Sequence, residues 1–243
     1  MSASATLNRA AMPHGSSALR PPRRKRRWLR LALVVLLAVV LAGIGWLVTL
    51  SSVLAARHVA VTGVHTLTPD EVRATARVPL GIPLARQDVR GIAARVRTLR
   101  LVSSVTVTRT WPDTMTIAVR ERKPVLALVQ PDGFLLVDAG GYPFRTVSTR
   151  PARVVLTDVD PTSSWLLTQV GVVAAALPAS LTSKVARIHA LTPDGITLSL
   201  VDGDTVFWGS ADNSELKSAV LTALLKTPAR SYDVSAPHSP ALR

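Results

Sequence analysis

The chain has 243 residues, 29 Lys and Arg against 15 Asp and Glu, a formal charge of +14, and no cysteine. The missing cysteine excludes disulfide stapling, thiolate catalysis and lipid attachment through a cysteine. Residues 1–69 hold nine of the basic residues and no acid, leaving 20 basic and 15 acidic residues beyond them, a mild excess that needs no polyanionic partner but suits an anionic cell-wall environment.

Residues 1–27 read as a disordered, basic cytoplasmic tail, rich in Ser, Ala, Pro and Gly and closed by Arg20, Arg23, Arg24, Lys25, Arg26 and Arg27. Residues 31–50 are an unbroken apolar run, and twenty such residues rise roughly 30 Å as a helix, the thickness of a hydrocarbon core. With Trp28 and Trp46 near its ends, residues 28–50 are predicted to form a single transmembrane helix. The basic flank on one side predicts a cytoplasmic N-terminus, with everything after about Ser51 across the membrane. A cleaved signal peptide has the same order of charges and apolar residues, and Val53-Leu54-Ala55 offers a small-residue site, but its apolar region normally runs only about 7–15 residues. The arginine block also admits a nucleic-acid reading; abutting a span, it is more economically a topology signal.

Residues 51–57 form a linker, and residues 58–122 a first domain. A strand over 58–64 buries Val59, Val61 and Val64, with Gly63 marking a bulge or bend. Thr68, Pro69 and Glu71 predict a capping box, with Leu67 and Val72 as its staple, and Val78-Pro79 ends that helix. Residues 80–84 read as an apolar loop tucked under the domain. A second helix over 88–100 turns Val89, Ile92, Ala93, Val96 and Leu99 inward, and Arg90, Arg95, Arg97 and Arg100 outward as a solvated face or a docking surface. Val102, Val105 and Val107 belong to one strand and Met115, Ile117 and Val119 to the next, with Trp111-Pro112-Asp113 turning between them. The order is β-α-α-β-β, with both helices on one sheet face.

Residues 123–243 form a second, mixed β domain with an antiparallel sheet and two helices, so the fold class is α+β. Pro131-Asp132-Gly133 signals a hairpin between strands over 125–129 and 134–137, and residues 154–156 form a short buried strand. Asp160-Pro161 predicts a helix start, with Leu166, Val170, Val173 and Leu177 inward until Pro178. A strand over 185–191 precedes a hairpin over 195–208 turning at Asp202-Gly203. Asp212 and Glu215 predict the next helix start, with Leu216, Val220, Ala223 and Leu224 inward. A last strand-like segment covers residues 231–235.

The β-α-α-β-β order resembles a POTRA domain. Arg109-Thr-Trp-Pro-Asp113, the alternating strand after it and Glu121-Arg-Lys-Pro-Val125 resemble the signature of the FtsQ/DivIB division proteins, as does Leu136-Val-Asp-Ala-Gly-Gly-Tyr-Pro-Phe144. The chain departs from the family at Leu101-Val102, where many members have Pro-Trp. The resemblance implies a non-enzymatic bitopic scaffold at the division septum. Its partners would be other bitopic division proteins of the FtsB/DivIC and FtsL type, and its role would include control of septal peptidoglycan synthesis. The resemblance implies no cofactor, metal, nucleic acid or small-molecule substrate, and contact with membrane lipid through the single span. A POTRA-bearing transport accessory that binds polypeptide by strand addition is an alternative, and a small membrane-anchored cell-wall enzyme a weaker one.

Enzyme signals are thin. Ser214-Glu-Leu-Lys217 matches the Ser-x-x-Lys of penicillin-interacting enzymes, but its companion elements all crowd into residues 211–228 in the wrong order, and Ser214→Ala is predicted to be silent. The five histidines have no metal-ligand spacing. The candidate partner site is the last strand, Tyr232, Asp233, Val234 and Ser235, expected at an uncovered sheet edge with Tyr232 as aromatic anchor. Family members also bind partners through the C-terminal strand of this domain.

Overall fold

The computed structural model describes residues 23–242 and falls into two compact units, one ending at Ser51 and one starting at Ser52. Of the disordered tail expected over residues 1–27, residues 1–22 lie outside the described residues, and residues 23–27 belong to a helix.

In the first unit, helix α1 (Arg23–Leu50) begins within the arginine block. Its stretch Arg27–Thr49, 23 residues, is long and apolar enough to cross a membrane, and its Leu and Val side chains lie exposed except the half-buried Val48. A helix apolar all round and covered by nothing is at home in an apolar solvent. Thr49 Oγ1 donates to the Gly45 carbonyl at 2.6 Å, so its one polar side-chain group needs no water.

The second unit opens with strand β1 (His58–Thr62), helices α2 (Pro69–Ala76) and α3 (Val89–Arg97), and strands β2 (Val102–Thr110) and β3 (Thr114–Glu121). Strand β3 is central, parallel to β1 and antiparallel to β2, as the β-α-α-β-β order requires. Alternation turns Val105, Val107, Met115, Ile117 and Val119 inward, against Val72, Ala76, Ile92, Ala93 and Val96 of the helices. Thr68 Oγ1 accepts the Glu71 N–H at 3.2 Å, and Asp88 accepts that of Gly91 at 3.0 Å, so both helices are capped by side chains. Helix α3 stops at Arg97, short of Arg100, where the N–H and hydroxyl of Thr98 both donate to the Arg95 carbonyl (3.1 and 2.8 Å). Gly63 adopts φ +79 where a Cβ would lie 2.0 Å from the Val119 carbonyl oxygen, so the chain leaves β1 hard against β3.

Two expectations for this region need correction. Of residues 80–84 only Pro83 and Leu84 are tucked in; Leu80 and Ile82 are exposed, since the backbone there pairs with Ala56 and aims the side chains outward. The arginine face is also incomplete, because Arg95 Nε donates to the Ala76 carbonyl at 2.8 Å and closes the end of α2.

The remaining strands form one nine-stranded mixed sheet, ordered β12-β11-β10-β9-β8-β7-β4-β5-β6. They are β4 (Pro124–Gln130), β5 (Gly133–Asp138), β6 (Pro143–Val147), β7 (Val155–Thr157), β8 (Val185–Ala190), β9 (Ile196–Leu200), β10 (Thr205–Gly209), β11 (Ser231–Asp233) and β12 (Ala241–Leu242). Strand β7 is parallel to both β4 and β8, and β10 is parallel to β11. Parallel neighbours need a crossover: β5 and β6 intervene between β4 and β7, α4 (Ser164–Ala176) with the short α5 (Ala179–Thr182) joins β7 to β8, and α6 (Ser214–Leu224) joins β10 to β11. The main core joins Leu126, Val137 and Ile188 to Leu167, Val170, Trp208 and Leu221. A smaller cluster of Ala127, Leu136, Phe144 and Val154 takes in Leu101, the residue at the departure from the family pattern.

Several local expectations also change. Helix α4 starts at Ser164, because Asp160 Oδ1 is occupied by the N–H and hydroxyl of Thr162 in a tight turn. Helix α6 starts after Asn213, left-handed at φ 54, while Asp212 binds the Ser210 hydroxyl. Its buried side is Ser214, Lys217, Ser218 and Leu221, whereas Leu216 and Ala223 are exposed. The turn at Asp202-Gly203 is a four-residue connection, with the Leu200 N–H donating to the Asp204 carbonyl at 2.8 Å. Strand β6 and helix α5 carry no local signal strong enough to predict them.

Candidate docking edge

The sheet ends at β10, β11 and β12. Strand β11 is held on its inner side by β10, with Val206 opposite Tyr232, and on its outer side by β12, with Tyr232 opposite Leu242 and Asp233 opposite Ala241. The edge expected at residues 231–235 is therefore covered by a two-residue strand, and the outermost position belongs to Ala241 and Leu242, both exposed. Residues 234–240 supply the reversal, with the Ser239 N–H donating to the Ala236 carbonyl at 2.9 Å.

Tyr232 is only 2% exposed, which removes it as a surface anchor in this arrangement. Its alternation with Ser231 and Asp233 sends the ring into the core, where the hydroxyl donates to the Thr227 carbonyl (3.2 Å) and accepts the Ala229 N–H (3.1 Å). The phenol thus holds the segment between α6 and β11. Val234 is buried, and its N–H donates to the Phe207 carbonyl at 3.0 Å. Asp233 Oδ1 accepts both the N–H (2.9 Å) and the hydroxyl (2.7 Å) of Ser235, a turn that ends the strand. Of the four candidate residues, Asp233 and Ser235 keep partial exposure.

The Ser-x-x-Lys pair is buried and fully engaged. Ser214 Oγ accepts the Trp208 indole N–H at 3.1 Å and donates to the Ala211 carbonyl at 2.7 Å. Lys217 Nζ donates to the carbonyls of Trp208 (3.0 Å) and Ser210 (2.8 Å). Burial pushes the Lys217 ammonium below its ordinary value, and nearby Asp212 and Asp194 only partly oppose this. No hydrogen bond joins Ser214 to Lys217 among the described residues, so the pair supports the α6 junction rather than a nucleophile.

One constellation had no signal in sequence. Asp158, His189 and Ser199 stand in file, with His189 Nδ1 2.5 Å from Asp158 Oδ2 and Nε2 3.1 Å from Ser199 Oγ. The pairing of β7 with β8 sets Asp158 beside His189, and the pairing of β8 with β9 sets His189 beside Ser199. The order is that of a hydrolytic triad, but Ser199 lies within β9, flanked by β8 and β10, where backbone N–H groups serve the ladders rather than an oxyanion. It is a polar tie across the sheet.

Comparison with known proteins follows this geometry. Residues 54–122 match the family "POTRA domain, FtsQ-type", and residues 127–235 match "Cell division protein FtsQ/DivIB, C-terminal". The chain is 42% identical to the cell division protein FtsQ of Streptomyces venezuelae over 86% of this chain and 83% of that one. It is 38% identical to that of Streptomyces bingchenggensis over 92% and 88%, respectively. A solved structure, the major extracytoplasmic domain of the trans isomer of DivIB from Geobacillus stearothermophilus, aligns at 19% identity over 44% of this chain and 98% of that chain, with a TM-score of 0.34. Two family models that together cover most of the chain, and relatives 38–42% identical over more than four fifths of their own length, show that the chain belongs to the FtsQ/DivIB family of bacterial cell division proteins.

Proposed function

We propose that this protein is a non-enzymatic, single-pass scaffold of the division septum. Residues 1–27 lie in the cytoplasm, residues 28–50 span the membrane, and residues 58–122 and 123–243 form two domains outside it. The observation that carries the reading is the exposed 23-residue apolar helix with its basic block on one flank, in a chain of this family. Its partners are membrane-anchored division proteins of the FtsB/DivIC and FtsL type, through which it bears on septal peptidoglycan synthesis. Tethering all partners in one membrane plane raises their effective concentration, so modest contact surfaces suffice.

The docking site is the sheet edge built on Tyr232, Asp233, Val234 and Ser235. Strand β12 is only two residues long. A partner strand extends the sheet beyond it, gaining backbone hydrogen bonds. Tyr232 serves as the buried post that holds β11 in register. The test is an Ala241→Pro, Leu242→Pro double variant, which removes edge donors at exposed positions. Co-purification with the coiled-coil partners is expected to fall while thermal unfolding stays unchanged; unchanged co-purification places docking elsewhere. Topology is tested by protease added to spheroplasts, which is expected to degrade the chain beyond Ser51 and spare a tag at Met1.

A further inference from the structure

Three loops gather at the start of β1. Residues 80–86 lie against residues 55–56, with the Ala56 N–H donating to the Ile82 carbonyl (3.0 Å), the Gly81 N–H to the Ala56 carbonyl (2.9 Å), and a bridge joining Ala55 to Pro83. The turn at residues 111–113 closes the same end, since the Asp113 carbonyl accepts the N–H groups of Arg57 (2.7 Å) and His58 (3.2 Å). Arg109 then ties β2 to the carbonyls of Leu84 (2.6 Å) and Gln87 (2.8 Å).

This end displays four apolar side chains to solvent: Val53 at 60%, Leu80 at 59%, Ile82 at 40% and Trp111 at 50% exposure. Arg57 and Arg86 are exposed among the same loops. The acid there, Asp113, is engaged by the Thr114 hydroxyl (3.1 Å) and lies 3.8 Å from His58 Nε2. Scattered single apolar residues are ordinary on a protein surface, but a group of four with an indole and two guanidinium groups is not.

Covalent connection says what covers it. Val53 follows Leu50, the last residue of α1, by three residues, and an extended chain covers at most about 3.6 Å per residue, so it lies within roughly 11 Å of the helix end along any path. Ala55, which holds the 80–86 loop, lies within roughly 18 Å by the same limit. Charge agrees: residues 54–122 contain 11 arginines against five acids, whereas residues 123–243 balance ten against ten.

We propose that Val53, Leu80, Ile82 and Trp111, flanked by Arg57 and Arg86, form an interfacial docking surface for the outer leaflet of an anionic bilayer. The inference rests on α1 spanning the membrane. The aliphatic side chains and the indole enter the boundary between headgroups and acyl chains, and the guanidinium groups bind lipid phosphates. A single covalent anchor through the span fixes where the second unit starts but not its tilt. A second attachment fixes its tilt and presents the distant sheet edge in one orientation, which lowers the ordering cost of partner binding.

The chain contains no cysteine, so a single introduced thiol can be labelled without ambiguity. The full chain, reconstituted in vesicles of phosphatidylcholine and phosphatidylglycerol, is labelled with an environment-sensitive fluorophore at Leu80→Cys or Ile82→Cys. Val40→Cys within the span and Leu191→Cys, 95% exposed in the second sheet's loops, serve as references. The labels at positions 80 and 82 are expected to shift to the blue and to be quenched by lipids carrying a shallow doxyl group, unlike the label at 191. Replacing phosphatidylglycerol by phosphatidylcholine, or introducing Arg57→Gln with Arg86→Gln, is expected to weaken that quenching. If the label at 40 is quenched while those at 80 and 82 behave like 191, the docking surface is wrong and the anchor stands. If the label at 40, which a spanning helix places near the bilayer centre, escapes quenching by a deep doxyl group as well, both fall.

Discussion

Arg122 Nη1 lies 2.5 Å from Asp138 Oδ2, in a largely buried pair that joins the end of the three-stranded sheet to the nine-stranded one. Arg122 Nε also donates to the Arg100 carbonyl at 3.1 Å, and its guanidinium lies 4.1 Å from the centre of the Tyr142 ring. Asp138 Oδ1 accepts the N–H groups of Gly140 and Tyr142, each at 3.0 Å. Glu-Arg-Lys-Pro and Leu-Val-Asp-Ala-Gly-Gly, two separate stretches of the sequence, are therefore the two halves of one junction.

Breaking that pair from one side leaves an uncompensated, half-desolvated charge. Arg122→Ala and Asp138→Ala are each expected to cost about 2–3 kcal/mol. The double variant should cost less than the sum, with a coupling of about 1–2 kcal/mol. Urea unfolding of the full chain in detergent measures all three, and strict additivity would show that the charges act independently.

Gly141 and Gly140 separate sharply as substitution sites. A Cβ at Gly141, where φ is +75, would lie 2.4 Å from the Thr168 N and 2.7 Å from the Leu167 carbonyl carbon, both backbone atoms of α4. At Gly140 the nearest atom is Asp138 Oδ1 at 3.4 Å. Gly141→Ala is expected to lose about 3 kcal/mol or more of stability and Gly140→Ala less than about 1. Paired thermal melts decide it.

Glu121 predicts an acid limb. Burial raises its carboxyl, but the N–H groups of His65, Leu67 and Thr66 outweigh that and hold it below its ordinary value of 4.5. A carboxyl more acidic in the folded state adds stability above pH 4.5 and loses it as the pH falls through its folded value. Glu121→Gln should therefore flatten the loss of stability between neutral pH and about pH 3. An identical acid limb in the variant would assign the loss to other carboxylates.

Ser214→Ala is no longer expected to be silent. The substitution strands the buried Trp208 indole N–H, at a cost of about 1–3 kcal/mol. Lys217 acts at the other end of the pH range. Its folded pKa lies below the ordinary 10.5, so the folded state binds the proton more weakly and stability rises as pH climbs from the depressed value to 10.5. Lys217→Met should abolish that rise. Labelling of Ser214 by a β-lactam probe would overturn the structural reading of both residues.

The sequence by itself determined what depends on neighbours a few residues apart. The span follows from an uninterrupted apolar run, the α2 cap from Thr68 and Glu71 three residues on, and the buried faces of β2 and β3 from alternation along each strand. Even the family pattern was legible, because its motifs are contiguous. Tertiary structure alone decided the rest, because sheet order and burial depend on partners distant in the chain. Helix α6 carries apolar residues on more than one side, so only the sheet beneath it selects Ser214, Lys217 and Leu221 as the buried face. Asp158, His189 and Ser199 meet through the parallel insertion of β7 between β4 and β8, which no local period encodes. Tyr232 looks like a surface anchor in sequence, yet Val206 on one side and a two-residue strand on the other enclose it, since alternation states which residues share a face but not which face is covered.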